Sequence, residues 1–142
     1  MHFIHKRYLK LVLLFCIPSI FFFYLKYLTD IRGPNWIMIP NDFTYGYLLK
    51  AVNLLEGESL LVLSHPGIPI VCINAMIVQG VFTILDGHDL VQNVIENIEL
   101  YATIINYHYM ILNAVALFVM GIATYRATRK LYLSILIQFA LF

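Results

Sequence analysis

Apolar residues fall into four runs that are separated by polar segments. The runs cover residues 11–28, 68–85, 101–125 and 131–142. A membrane-spanning helix needs about 20 mostly apolar residues, so the first three runs are long enough, or nearly so, to cross a bilayer. The fourth is too short. The pattern predicts an all-α, polytopic integral membrane protein that is truncated after about three transmembrane helices and a partial helix at 131–142.

Composition favours the same class. The chain of 142 residues is 61% hydrophobic and 12% charged, with a mean hydropathy of +0.82, whereas soluble domains carry about 25% charged residues. The net charge of +1 argues against nucleic-acid binding, which needs a basic face. Cys16 and Cys72 both lie inside apolar runs, so no disulfide framework is expected.

The charges that flank the first run predict its orientation. Lys6, Arg7 and Lys10 precede the run, which by the positive-inside rule places the N-terminus in the cytoplasm. No small-x-small cleavage site follows, so we interpret residues 11–28 as an uncleaved anchor rather than a signal peptide. Residues 29–67 then form an outer loop.

The second run leaves two topologies open. If residues 68–85 cross the membrane and 86–100 form a polar loop, three crossings place Arg126, Arg129 and Lys130 outside, against the positive-inside rule. If residues 68–85 are re-entrant, the same basic cluster lies inside. Packed bundles can override the rule, and from the sequence alone we favour three crossings.

The outer loop contains one helical pattern. Five residues between Asp42 and Glu56 recur at three- and four-residue spacing and fall on one face of a helix; they are Thr44, Leu48, Ala51, Val52 and Leu55. Asn41 or Asp42 is suited to the N-cap, and Gly57 is suited to ending the helix. The pattern predicts an amphipathic helix that lies on the membrane surface.

A turn follows this helix and opens the second apolar run. Proline fixes φ at Pro66, and Gly67 can adopt a left-handed backbone that other residues avoid. Asp42 has a plain structural interpretation as an N-cap, and His65 has one as a turn residue, beside any chemical role.

Several short motifs resemble a known family. They are Asp42, Tyr47-Leu48-Leu49, the segment 52–57 (VNLLEG), and His65-Pro66-Gly67-Ile68-Pro69. This arrangement resembles the N-terminal part of the GT-C class of integral-membrane glycosyltransferases, which includes protein mannosyltransferases and lipid A aminoarabinose transferases. Ser64 stands where that group carries an acid, and Ile68 stands where it carries threonine.

The resemblance implies transfer of a sugar from a polyprenyl-phosphate donor to an acceptor hydroxyl at the outer face of the bacterial inner membrane. Asp42 would be the catalytic base, because a carboxylate within hydrogen-bond reach can take the hydroxyl proton. Arg32, Lys50 and His65 would bind the substrate phosphate. A divalent metal in the full-length protein is left open, and no metal ligands are assigned. Membrane lipid and the lipid-linked donor are the expected partners, and the fragment is expected to be inactive alone.

Two other functions remain open. A small non-enzymatic membrane protein would act as an assembly or accessory subunit, with polar residues inside its helices marking contacts with partner subunits. A transporter fragment would instead line a path with such residues; the candidates are Asn74, Gln79, Asn106 and His108.

Overall fold

The computed structural model describes residues 2–34, 43–58, 67–85 and 87–140. Side chains are described from residue 9 in the first helix and from residue 45 in the second. Within these ranges every regular element is a helix, so the all-α prediction is confirmed.

Six helices make up the described chain. They are α1 His2–Arg32, α2 Phe43–Leu55, α3 Ile68–Leu85, α4 Leu90–Glu96, α5 Ile98–Thr128 and α6 Leu131–Ala140. Three of them, α1, α3 and α5, are long and apolar enough to cross a membrane, which indicates a membrane protein. The bounds of α3 are those of the second apolar run, whereas α1 and α5 extend beyond their runs at both ends.

Helix α4 corrects the prediction of a plain polar loop over residues 86–100. Asp89 is its N-cap, and the Asp89 carboxylate accepts a hydrogen bond of 2.9 Å from the backbone N–H of Gln92. The helix has only seven residues, too few to show a clear apolar period. The sequence signal for this helix is Asp89 itself, because aspartate is a favoured N-cap residue.

The chain divides into two compact units. The terminal unit combines residues 1–31 with 108–142, and the central unit covers residues 32–107. The boundary falls inside α5, whose first ten residues belong to the central unit. Each unit is described separately below.

In the terminal unit, α1 and α5 run antiparallel. The Lys10 amine donates a 2.6 Å hydrogen bond to the Tyr125 hydroxyl, while the ring centroids of Phe15 and Phe118 lie 5.5 Å apart in an edge-to-face arrangement. Residue numbers therefore rise along α1 as they fall along α5.

A buried glutamine on α6 joins these two helices. Gln138 is fully buried, and its Nε2 donates to the carbonyls of Leu14 at 3.0 Å and Leu117 at 2.9 Å. In a regular helix the N–H of residue 18 would bond to the Leu14 carbonyl, but Pro18 has no N–H. Gly121 lies under the same amide, and a Cβ added there would come within 2.8 Å of Gln138 Cδ. We call these contacts the amide clamp.

The amide clamp is satisfied on one side only. Its two hydrogen bonds engage the amide nitrogen, while Gln138 Oε1 is buried without a hydrogen-bond partner among the described residues. The two acceptor carbonyls fix which end of the amide carries the nitrogen, because only an N–H can donate to both.

A two-residue connection returns α6 onto α5. Arg129 has a φ of 59°, in the left-handed region, and its N–H donates to the Tyr125 carbonyl at 2.9 Å. The Thr128 hydroxyl accepts from the N–H of Lys130 at 3.2 Å. This is the αL ending of a helix, here without the usual glycine.

In the central unit, α2 packs against α3. Leu48, Ala51 and Val52, on the face that the spacing predicts, are buried. Protein therefore covers these positions of the predicted face, and the location of α2 at a membrane surface stays a prediction. The sequence shows that the face is apolar but does not show what covers it.

The C-terminus of α2 confirms the predicted stop at Gly57. Gly57 has a φ of 77°. The N–H of Glu58 donates to the Asn53 carbonyl at 2.9 Å, and that of Gly57 to the Leu54 carbonyl at 3.3 Å. This pair of bonds is the Schellman motif, which needs the left-handed backbone that glycine adopts without strain.

Candidate functional site

Two of the four predicted site residues lie outside the described residues. These are Asp42, the predicted base, and His65, a predicted phosphate ligand. Lys50 and Arg32 are described. The candidate site is therefore defined by the helix α2 that follows Asp42 and by the turn at Gly67 that follows His65.

Lys50 lies on α2 beside an aromatic ring. Its amine is 5.5 Å from the centroid of the Tyr47 ring, and the side chain is half-buried. A cation over an aromatic face is stabilised by about 0.5–1 kcal/mol when it is partly solvated. The arrangement holds the lysine stem against the helix and leaves a positive charge next to Tyr47.

Arg32 is the last residue of α1 and is exposed. Gly33 follows it with a φ of 78°, so the backbone leaves the helix through a left-handed residue. Among the described residues, no hydrogen bond or ion pair joins Arg32 to Lys50. The two cations lie on separate helices, Arg32 at the end of α1 and Lys50 on α2.

The N-terminal half of α2 and the residue before α3 meet at Tyr47 and Gly67. Gly67 is buried, and a Cβ added there would lie 2.6 Å from Tyr47 Cε1 and 2.7 Å from its hydroxyl oxygen. Its φ is outside the left-handed region, so the turn does not use the left-handed backbone that glycine allows. A side chain at position 67 would overlap the Tyr47 ring.

A second tyrosine of α2 is tied to the start of α5. The Tyr45 hydroxyl donates to the Glu99 carboxylate. Two residues along α5, the Tyr101 hydroxyl donates to Asn93 Oδ1 at 2.7 Å. Tyr45 and Tyr47 thus both make contacts inside the central unit.

The remaining polar candidates are dispersed. Asn74 on α3 is buried, whereas Gln79 on the same helix is exposed. Asn106 and His108 on α5 are half-buried. In the part of the chain that the structure describes, no group of three His, Cys, Asp or Glu residues could hold a metal ion.

Comparison of the chain with protein-family models, with curated proteins and with solved structures finds no match. The geometry of the two units therefore carries the functional argument.

Proposed function

We propose that the chain is part of a GT-C-like membrane glycosyltransferase, which moves a sugar from a polyprenyl-phosphate donor to an acceptor hydroxyl at the extracytoplasmic face. The observation that supports this proposal is the contact between Tyr47 and Gly67. Tyr47 belongs to the helix that follows the candidate base, and Gly67 follows the candidate phosphate ligand. A catalytic loop of this kind needs its two motifs held against one another.

The chemistry assigns a role to each predicted residue. A hydroxyl is a weak nucleophile at neutral pH, and the carboxylate of Asp42 would take its proton as the glycosidic bond forms. The leaving polyprenyl phosphate carries negative charge, which Lys50, Arg32 and His65 would stabilise. A phosphate-binding residue must lie close to the loop motifs. The Lys50 amine does so, because it lies beside Tyr47, which contacts the Gly67 turn.

The antiparallel pairing of α1 and α5 supports an outer location for this loop. It brings Lys10 and Tyr125 to the same end of the terminal unit, next to Arg126. By the positive-inside rule that end, with the N-terminus, lies in the cytoplasm of a bacterial inner membrane. The chain then leaves the membrane after α1 and re-enters it at α5 on the same outer side. This favours the re-entrant topology for residues 68–85 over three crossings.

Cysteine labelling tests this orientation. Cys16 and Cys72 are first replaced by serine, and single cysteines are placed at Ser59 and at His88. A membrane-impermeant thiol reagent should label both in intact cells, because the antiparallel pairing of α1 and α5 leaves no net crossing of the membrane between them. Labelling of His88→Cys only after lysis would establish three crossings, and the same result for Ser59→Cys would reverse the orientation.

The catalytic proposal is tested in the full-length protein with Asp42→Asn. This change keeps most of the capping ability and removes the base, so transfer of sugar should fall by about 10²-fold or more. Asp89→Asn is the control, since Asp89 is the N-cap of α4 and has no assigned chemistry. Full activity in a normally inserted Asp42→Asn protein would leave Asp42 as a cap only.

A non-enzymatic accessory subunit is the alternative function. The amide clamp supports it, because Gln138 shows that polar residues in these helices serve helix packing. Downstream genomic sequence separates the two: further hydrophobic segments in frame favour the transferase, whereas an unrelated gene favours the accessory subunit. A transporter fragment remains a third option without a specific observation in its favour.

A further inference from the structure

The terminal unit has an open apolar groove between α1 and α5. Its volume is about 380 Å³. The larger side chains that line it are Phe15, Phe22, Phe23, Ile111, Val115 and Phe118. Ser19 is the polar side chain among the described lining residues, and its hydroxyl donates back to the Phe15 carbonyl at 2.9 Å. The groove therefore offers hydrocarbon contacts and no free polar group from Ser19.

One end of the same unit is strongly basic. The antiparallel pairing gathers the basic residues of both helix ends there, namely Lys6, Arg7, Lys10, Arg126, Arg129 and Lys130. Residues 1–29 and 108–142 contain no aspartate or glutamate. Asp30 lies at the opposite end of α1 and is paired with Lys26 at 2.6 Å. This basic end therefore lacks an acidic partner within its own unit.

The distance from the basic end to the groove residues, measured along α1, is similar to the thickness of one lipid leaflet. Phe15 is five residues beyond Lys10, about 8 Å along α1, and Phe23 is about 20 Å from Lys10 at the helical rise. Half of a bilayer's hydrocarbon core is about 15 Å thick. A lipid whose phosphate is level with Lys10 would thus run one acyl chain along the groove.

We propose that the terminal unit binds an anionic phospholipid, with one acyl chain in the groove and the phosphate held by the basic end. Charge complementarity favours an anionic lipid over a neutral lipid, because each Lys or Arg near the membrane surface attracts a negatively charged headgroup. The site uses residues of the terminal unit alone and does not depend on the proposed function.

The test uses the full chain in phosphatidylcholine nanodiscs that contain a small fraction of phosphatidylglycerol with a photoreactive diazirine in mid-chain. Cross-links should map to the peptides that carry Phe15–Phe23 and Ile111–Phe118. Unlabelled phosphatidylglycerol should displace the probe, and phosphatidylcholine of the same chain length should not. Equal displacement by both lipids would show ordinary boundary lipid and overturn the proposal.

Two sets of variants separate the acyl and phosphate contacts. Val115→Trp fills the groove and should abolish most labelling, while Val119→Trp, at a similarly exposed position outside the lining, should leave it unchanged. Arg126→Gln and Lys130→Gln should each weaken probe affinity about fivefold, the ratio that corresponds to about 1 kcal/mol per surface charge. Circular dichroism checks that each variant keeps its helices.

Two further outcomes would contradict the lipid assignment. Labelling that is insensitive to Val115→Trp would place the lipid elsewhere. A cysteine at Val115 that forms a disulfide between two copies of the chain, with no lipid cross-link in the groove, would show that a second copy covers this surface.

Discussion

The terminal and central units each depend on a glycine that lets another residue approach closely, but they use different partners. In the terminal unit Gly121 makes room for the polar amide of Gln138, which bonds to two backbone carbonyls. In the central unit Gly67 makes room for the aromatic ring of Tyr47, which packs on the backbone. Helix packing in an apolar chain gains little from hydrophobicity alone, so close approach and hydrogen bonding carry more of the stability.

Gly121→Leu should have the largest effect on this comparison. The added side chain occupies the position of the Gln138 amide, and the two hydrogen bonds of the amide clamp are lost. Overpacking of this kind costs about 1–3 kcal/mol, and we expect the upper end of that range. The measurement is the free energy of unfolding in detergent micelles. Gly80→Leu is the control, because a Cβ at Gly80 meets nothing within 4 Å; equal losses in the two variants would refute the role of Gly121.

Gly67→Ala probes the central unit and should cost about 1–2 kcal/mol of unfolding free energy, because its Cβ overlaps the Tyr47 ring. Gly46→Ala is the matched control within α2, where a Cβ meets nothing within 4 Å and alanine should stabilise the helix by about 0.5–1 kcal/mol. Adding Tyr47→Leu to Gly67→Ala should recover part of the loss. A Gly67→Ala protein as stable as wild type would show that the Tyr47 ring does not exclude a Cβ at position 67.

Arg129→Gly should have the smallest effect, and of opposite sign. A left-handed backbone strains a non-glycine residue by about 1–2 kcal/mol, and glycine removes this strain while it raises the entropy of the unfolded chain. We expect a net gain of at most about 1 kcal/mol, measured as a small rise in the unfolding midpoint. A loss of stability would mean that the Arg129 side chain contributes more than its backbone costs.

Much of the helical architecture could be predicted from the sequence. The second apolar run matches α3, and Gly57 ends the α2 region as expected, because periodicity and helix-stop signals are local properties. The contacts between helices could not be predicted. Tyr45 with Glu99 and Tyr47 with Gly67 join residues far apart in the chain, and nothing local specifies such pairs.

The amide clamp left signals that can be recognised afterwards. Pro18 inside an apolar run deprives the Leu14 carbonyl of its helical donor, and a glutamine in the short run 131–142 needs a buried partner. The sequence supplies a donor and an acceptor but not their pairing. Asp42 and His65 lie outside the described residues, so their assignment stays a prediction from the resemblance.

The most direct test of this account is a double-mutant cycle between Pro18 and Gln138. Our central claim is that Gln138 supplies the hydrogen bond that Pro18 removes from the Leu14 carbonyl. Gln138→Leu should therefore destabilise the wild-type chain, by about 1–2 kcal/mol. With Pro18→Ala, the backbone N–H of the new alanine bonds to Leu14, so Gln138→Leu should cost about 1 kcal/mol less. Equal costs in the two backgrounds, measured as free energies of unfolding in the same micelles, would contradict the account.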